Sequence, residues 1–325
     1  MGHYAIGIDI GGTSIKGALL SKDGVVVFLI SAPTGAEKGG KKVLENVLFL
    51  IETLIGKHGM KKNIIGVGIG TPGSINEKGT VIGGAKNLPG WEGTQVFRPI
   101  GKRFGLTAIA INDALAMTLA EWRYGAAKGF ANVVCLSLGT GIGGGIIIDN
   151  RIYKGAHGLA GELGHVSVDY SGIACTCGQR GCVERYASAT GIVRTAIHTC
   201  AGLAKNRQTP FSKLVAAKPG QLTSRVVYDY VKKRDRIALQ VNERVCEKLA
   251  RIIGVAINAF APDRVVLGGG VMNAGTIIIN TTRKYVPLYS LSGSREGCTL
   301  LKAKCGENAG AIGAAQMVFE QMGRA

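Results

Sequence analysis

Acidic residues are scarce in this chain. Against 39 lysines and arginines stand 21 aspartates and glutamates, a formal net charge of +18 over 325 residues. An excess of that size raises nucleic acid as a partner class. The excess is spread along the chain, with one concentration between Lys205 and Arg236. There Lys205, Arg207, Lys213, Lys218, Arg225, Lys232, Lys233, Arg234 and Arg236 face only Asp229 and Asp235. The stretch lacks the pattern of interleaved aromatics that stacks bases. A solvated helical face is therefore the first reading, a phosphate-rich small molecule the second and nucleic acid the third.

Other absences narrow the class further. Charged residues make up 18% and hydrophobic ones 46%, which excludes a disordered chain and allows two domains with a sizeable core. No apolar run is long enough to cross a membrane. The nearest, Phe130 to Ile148, is interrupted by Gly139, Gly141 and Gly143-Gly-Gly145 and reads as strand, turn, strand. No signal peptide precedes the first apolar strand. Cys135, Cys200, Cys246, Cys298 and Cys305 are scattered singly, which fits a reducing cytoplasm. The Gly-Lys-Ser/Thr order of a Walker A loop is also missing.

Glycine is abundant, at 50 residues, and gathers beside β-branched residues. Tyr4 to Leu20 reads as an apolar strand, a turn at Gly11-Gly12-Thr13, and a second strand; Val25 to Ile30 supplies a third. Backbone N–H groups at such a tip can receive phosphate oxygens. Thr13 and Lys16 add a hydroxyl and a cation, and Asp9 stands where it could hold Mg²⁺ through water. The pattern returns at a shift of 128, where Ile8-Asp9-Ile10-Gly11 meets Leu136-Ser137-Leu138-Gly139 and Ala18-Leu19-Leu20 meets Ile146-Ile147-Ile148. Two halves that each open on strand, glycine turn and strand could hold a nucleotide between them. Gly139-X-Gly141-X-X-Gly144 fits a dinucleotide fingerprint only if it opens a helix, and Ile146-Ile-Ile-Asp-Asn continues as a strand instead.

Helical spacing marks Lys41–Lys57, Ala114–Tyr124, Ala189–Leu203, Thr223–Tyr230, Asp235–Ala259 and a closing helix opened by Ala309-Gly-Ala-Ile-Gly-Ala-Ala315 and ending at Gln321. Buried strands run over Ile64–Gly70, ending in the turn Thr71-Pro72-Gly73, over Ala108–Ile111, and over Arg264–Leu267 into Gly268-Gly269-Gly270. Such a glycine turn lets a flat base lie against backbone. Asn112-Asp113 sits at a strand end ahead of a helix, where α/β folds place ligands; Asp113 also suits the N-cap of that helix.

The densest chemistry lies between Glu162 and Glu184. His165, Cys175, Cys177 and Cys182 are the donors of a closed tetrahedral zinc site, with Gly178 and Gly181 shaping a small knuckle. Four protein donors leave no open position, so the site reads as structural. Incidental thiols, or a disulfide such as Cys175–Cys182, are the alternatives. A bound metal would also fix the bracketing carboxylates Glu162 and Glu184.

Taken together, Asp9-X-Gly-Gly-Thr13, Gly66-X-Gly-X-Gly-X-Pro72-Gly73, Asn112-Asp113, Leu138-Gly-Thr-Gly-X-Gly-Gly-Gly145, Glu162-X-Gly-His165 and Cys175-X-Cys-Gly-X-X-Gly-Cys-X-Glu184 resemble the ROK family of bacterial sugar kinases and sugar-responsive repressors. The resemblance covers nearly the whole chain. It implies two actin-like (ribonuclease H-like) α/β domains with an interdomain cleft, here residues 1–111 plus 308–325 and residues 112–307. It implies transfer of the ATP γ-phosphoryl group, with Mg²⁺, to a hexose 6-hydroxyl. Asp113 matches the general base. Gly73, Asn87, Asn112, Glu162, His165 and Glu184 match positions on the sugar. Gly11, Gly12, Thr13 and Lys16, with Asp9, match the first phosphate loop; Gly139, Thr140 and Gly141 match the second; Gly268, Gly269 and Gly270 match the adenosine side. Asn87-Leu-Pro-Gly-Trp91 resembles the glucokinase members, so glucose is the expected sugar. N-acetylmannosamine, N-acetylglucosamine or fructose is the alternative acceptor, polyphosphate the alternative donor, and a non-catalytic sugar sensor the alternative class. The family's repressors carry a helix-turn-helix ahead of these domains. Asp9 lies too near the start for one, so sugar and nucleotide are the expected partners, without nucleic acid or membrane. A cytoplasmic homo-oligomer, dimer or tetramer, is expected by analogy.

Overall fold

A computed structural model describes residues 3–58, 63–83, 85, 88–156 and 159–322. The chain divides into two compact units, residues 1–128 with 305–325, and residues 129–304.

In the first unit a hairpin of β1 (Tyr4–Ile10) and β2 (Ser14–Ser21) is extended by β3 (Val26–Pro33) on one side. On the other side β4 (Ile64–Thr71) and then β7 (Ala108–Asn112) join in parallel, giving the order β3-β2-β1-β4-β7. A two-stranded ribbon, β5 (Ser74–Ile75) with β6 (Val81–Gly83), lies between β4 and β7 in sequence. Side chains alternate across a strand, and the two faces are filled differently. Ile6, Ile8, Ile10, Val67 and Ile69 share a core with Val43, Val47, Leu50, Ile51 and Leu54 of α1 (Gly40–His58). Each such buried side chain stabilises the fold by roughly 1.5–3 kcal/mol. The opposite face carries Gly7 and Gly68, against which α11 (Ala309–Met322) lies at backbone contact. A Cβ on Gly7 would stand 1.9 Å from Ala311 O, and one on Gly68 1.9 Å from Ala314 O. That close approach explains the small residues of the closing helix. Gly313 turns the same closeness toward α3 (Asp113–Arg123), where a Cβ would meet Ala116 O at 1.7 Å. A short α2 (Phe97–Phe104) buries Ile100 and Phe104.

Because α3 packs on α11, it belongs to the first unit. The division expected at 111/112 therefore lies at 128/129, and the return expected at 307/308 lies at 304/305. Both points at which the chain leaves this unit are held by one buried side chain. The Glu121 carboxylate accepts the Ala126 N–H at 2.8 Å and the Cys305 N–H at 2.6 Å.

The second unit repeats the plan. The hairpin β8 (Val133–Leu138) and β9 (Ile142–Ile148) is flanked by β10 (Arg151–Ile152) and by parallel β11 (Arg264–Gly268) and β12 (Thr299–Lys302), in the order β10-β9-β8-β11-β12. The order and the sense of pairing match those of the first sheet, as the repeated glycine pattern predicts. Helices α4 (Glu184–Ala187), α5 (Ala189–Cys200), α6 (Pro210–Ala217), α7 (Ser224–Lys232), α8 (Arg236–Phe260), α9 (Thr276–Tyr289) and α10 (Ser292–Arg295) complete it. The Asp235 carboxylate caps α8 by accepting from Ile237 and Ala238 N–H, and also takes the Phe211 N–H. The stripe Val241, Val245, Leu249, Ile252 and Ile253 buries α8 in the core.

All nine basic residues of the Lys205–Arg236 stretch are exposed. Its aromatics turn inward: Phe211 and Tyr228 are buried, and Tyr230 packs on Phe211 with ring centres 5.4 Å apart. The structure thus gives this stretch a solvated basic face without base-stacking rings. Among the described residues no helix is long and apolar enough to cross a membrane.

Candidate active site and metal centre

Two glycine turns, one per unit, organise the site residues. In the first unit Gly11 N–H closes the turn on Ser14 O at 3.0 Å, and Thr34 Oγ1 donates to Gly11 O at 2.6 Å. Gly12 and Thr13 are exposed at the tip. Asp9 and Lys16 stand opposite one another across the hairpin. Burial raises the Asp9 carboxyl to about 6, the charge of Asp113 adds to the rise, and Lys16 opposes it. Lys16 Nζ meanwhile donates to Glu307 O at 2.8 Å and pairs with its carboxylate at 3.0 Å. Sequence spacing offers no sign of Glu307, which is brought in by the segment that opens the closing helix.

The β7–α3 junction supplies the next two groups. The sequence allowed Asp113 as the helix cap; the structure gives that role to Asn112. Asn112 Oδ1 accepts from Ala114 N–H at 2.9 Å and Leu115 N–H at 3.1 Å. Its oxygen is thereby engaged, and its NH₂ group is what it can offer a ligand. Asp113 begins the helix and receives the Ala114 N–H at 2.8 Å. It remains accessible, yet the surrounding protein costs it solvation. That raises its carboxyl above the usual value, against the lowering effect of the Ala114 bond. Asp9 and Asp113 are thus two carboxyls close enough to feel each other's charge, both held above ordinary values. Gly73 turns the chain at φ 81°, where a Cβ would strike Gly83 O at 2.1 Å. Asn87 lies outside the described residues.

In the second unit Gly139 N–H closes the other turn on Gly141 O at 2.9 Å. This turn brings no charge of its own, since Ser137 occupies the place of Asp9. It borrows one from Glu184. Ile142 N–H donates to Glu184 Oε2 at 2.9 Å, and a Cβ on Gly141 would meet that oxygen at 2.3 Å. Thr140 O accepts from Thr190 Oγ1, and Gly139 O from Ala189 N–H, so the turn is also tied to the start of α5. Gly268 pairs in register with Ser137, and Gly269, at φ 85°, lies so close that a Cβ would meet Leu138 O at 2.5 Å. The Gly268–Gly270 turn and the Gly139–Gly141 turn are therefore neighbours.

Glu184 follows directly on the knuckle. The donor atoms of His165, Cys175, Cys177 and Cys182 all lie within 4.8 Å of one another. Cys177 Sγ is 3.6 Å from Cys182 Sγ, and Cys175 Sγ is 3.8 Å from His165 Nδ1. Thiolates held tetrahedrally at about 2.3 Å from one ion stand roughly 3.8 Å apart, so donor set and spacing are compatible with zinc. All three knuckle thiols are free, which removes the Cys175–Cys182 disulfide. Burial, with the neighbouring thiols, pushes the Cys182 thiol up to about 12, while the backbone N–H of Gln179 holds Cys177 below its usual value. The backbone is braced around the cluster: Cys175 N–H donates to Gln179 O at 2.7 Å, Gly181 N–H to Ile173 O at 2.8 Å, and Val183 N–H to Val166 O at 3.1 Å. A Cβ at Gly181 (φ 74°) would overlap Asp169 O at 1.8 Å. From outside, Lys248 of α8 grips the Asp169 carboxylate at 2.9 Å, holding it below the usual carboxylate range. Glu162 is exposed one turn before His165, whose N–H donates to Glu162 O at 3.1 Å. With Nδ1 turned to the thiols, His165 has Nε2 left for another partner.

The sequence profile of the ROK family matches residues 5–321. A glucokinase of Thermotoga maritima is 34% identical over 319 residues, which are 98% of this chain and 98% of that one. A xylose repressor of Caldicellulosiruptor bescii is 30% identical over 321 residues, 98% of this chain and 78% of its own. Among solved structures, a ROK family glucokinase from Streptomyces griseus in complex with glucose and AMPPNP superposes with a TM-score of 0.79 at 27% identity, covering 97% of this chain and 98% of that one. The likeness carries the actin-like, two-domain α/β architecture that the sequence pattern implies. This chain belongs to the ROK family.

Proposed function

We propose that this protein is an ATP-dependent hexose kinase, with glucose as acceptor and the 6-hydroxyl as the site of transfer. The observation that carries the reading is Asp113, a carboxyl at a strand end with its pKa raised, in a chain that keeps both glycine turns of a phosphoryl-transfer family. Phosphoryl transfer asks little covalent chemistry of a protein; positioning and charge stabilisation supply most of the rate. Asp113 takes the proton of the attacking hydroxyl while that hydroxyl's oxygen bonds to the γ-phosphorus and the bond to the bridging ADP oxygen breaks. Backbone N–H groups at Gly11, Gly12 and Thr13, and at Gly139, Thr140 and Gly141, receive phosphate oxygens. Lys16 exchanges Glu307 for phosphate. Gly268, Gly269 and Gly270 take the adenosine side. Gly73, Asn87, Asn112, Glu162, Glu184 and His165 through Nε2 hold the sugar.

Asp9 would hold Mg²⁺, which supplies charge neutralisation to the phosphates when bound. Its neighbouring carboxyl and raised pKa fit a place made for a cation. The cluster of His165, Cys175, Cys177 and Cys182 would hold zinc as a structural ion, fixing Glu184 at the second turn. The Thermotoga maritima relative is named a glucokinase, and the Streptomyces griseus structure holds glucose and an ATP analogue, which supports both substrates here. We extend the reading to a cytoplasmic homo-oligomer; Tyr170, Leu288 and Leu291, exposed at 88%, 70% and 67%, are apolar surface that an assembly could cover.

The test is a coupled ADP-release assay with Mg·ATP against glucose, mannose, fructose, N-acetylglucosamine and N-acetylmannosamine. Turnover on glucose above the others is expected. Turnover on an N-acetyl sugar would keep the mechanism and replace the substrate. Silence on all five from folded, metal-loaded protein would sink the kinase reading with ATP. Polyphosphate is the second donor to try. None of the nine exposed bases between Lys205 and Arg236 makes an ion pair among the described residues.

A further inference from the structure

Trp91 is one of two tryptophans in the chain and is fully buried. An apolar side chain would bury surface here without bringing a polar atom into the core. Instead the indole N–H donates to Thr71 Oγ1 at 2.9 Å, and Thr71 is itself buried at the end of β4. The Thr71 hydroxyl donates onward to Pro72 O at 3.1 Å, so it both accepts and donates. In the sheet Thr71 is the register partner of Asn112, the residue before Asp113.

The backbone of Trp91 is fixed as firmly as its ring. Trp91 N–H donates to Leu88 O at 3.0 Å, and Thr94 N–H to Trp91 O at 3.1 Å. The turn before it is wedged against the start of α1, where a Cβ on Gly40 would meet Gly90 O at 2.0 Å. One side chain therefore connects two turns, Pro72-Gly73 and Leu88–Gly90, and anchors both to the strand beside Asn112. A buried hydrogen bond of this kind contributes little net stability. What it adds is a fixed spacing that an apolar contact would leave free to slide.

We propose that Trp91 is a positioning residue that acts through Thr71 to set the acceptor side of the site. By locking these two turns to the β4–β7 edge it would decide which hexose is held in line with Asp113. The inference rests on the hexose kinase reading and deepens it.

Steady-state kinetics with the five-sugar panel and Mg·ATP test it on three variants, with wild type as the control that separates the two claims. Thr71→Val keeps the shape and removes the acceptor. Trp91→Phe keeps an aromatic ring at the site and removes the donor together with part of the indole's volume. Thr71→Ser restores the hydroxyl. In the first two the KM of the preferred hexose should rise about tenfold, the KM for ATP should stay within about twofold, and the preference among sugars should flatten. Thr71→Ser should return within about threefold of wild type. Should Thr71→Val fail to fold, Trp91→Phe reads the same bond from the donor side. A merely structural bond would lower the melting temperature and leave the ratio of the two KM values unchanged. With wild type active, that outcome overturns the proposal alone. Wild type inactive on every sugar overturns it together with the kinase reading.

Discussion

The two glycine turns are built on one plan and equipped differently. Each closes a β-hairpin at the head of a five-stranded sheet whose strands follow the same order. The first carries its charges within the hairpin, Asp9 against Lys16. The second has Ser137 at the position of Asp9 and obtains a carboxylate from outside the hairpin, Glu184 reaching Ile142 N–H from the far side of the knuckle. In the first turn, burial beside another acid loads the carboxyl with a cost that a bound cation would relieve. In the second, the carboxylate is already satisfied by backbone and held by the strap of chain that gathers the cysteines. The same strand order thus carries unequal chemistry: the first turn holds its charges within the hairpin, and the second receives one from outside it.

The sharpest way to break this comparison is at Asp113. Asp113→Asn should lower kcat by about a thousandfold, the range a positioned base supplies, while hexose affinity by calorimetry stays within a few-fold. Near-normal turnover would remove the assigned chemistry from the first half.

Next in size is the metal. Wild type should carry one zinc by native mass spectrometry. Cys182→Ser should carry none and lose on the order of 10 °C in melting temperature for a loss of a few kcal/mol. A variant that keeps its melting temperature and full activity would show that the second turn does not depend on the knuckle.

A smaller effect separates the turns by pH. Asp9 has a folded-state pKa raised from 3.8 to about 6. For a carboxyl raised on folding, the cost to the fold is fully present above about pH 6 and fades as pH falls toward 3.8. Without nucleotide or Mg²⁺, lowering pH from 7 to 5 should therefore relieve part of a cost of roughly 3 kcal/mol at most. Asp9→Asn should abolish that gain and raise the melting temperature at pH 7, at the expense of activity. Ser137→Ala, its counterpart, should change neither by comparison. Denaturant titrations at the two pH values decide it.

The smallest effect belongs to the Lys16–Glu307 pair. Glu307 is 82% exposed along its side chain, so Glu307→Gln should shift stability by under about 1 kcal/mol. If Glu307 competes with phosphate for Lys16, the same change should lower the KM for ATP slightly.

Much of this was legible in the residues. The repeat at a shift of 128 announced two similar halves, because apolar β-branched runs make strands and the glycines between them make the turn of a hairpin. The cluster of three cysteines and a histidine was readable because metal-ligand chemistry restricts both residue type and spacing. The place of Asp113 just after a strand, ahead of a helix, marks it as a candidate on sequence alone. The helix Thr276–Tyr289 is not legible locally: Thr-Ile-Ile-Ile favours a strand and Pro287 a break, and packing along α8 overrides both preferences. The cap at Asn112 rather than Asp113 depends on a one-residue difference in backbone angle, which composition does not record. Glu307, Glu121 and the Trp91–Thr71 bond join residues far apart in the chain, and no local pattern carries such information.

Glu121 holds the N–H of Ala126 and the N–H of Cys305 on one carboxylate, so the two ends of everything between them leave from a single spot. In terms of chain path, residues 129–304 form a continuous stretch that leaves and re-enters the first unit at neighbouring points. Boundaries that lie close together are the ones at which a chain can be rejoined. A short glycine-serine bridge from Lys128 to Cys305 should accordingly yield an uninterrupted first unit that can be expressed, folded and studied alone.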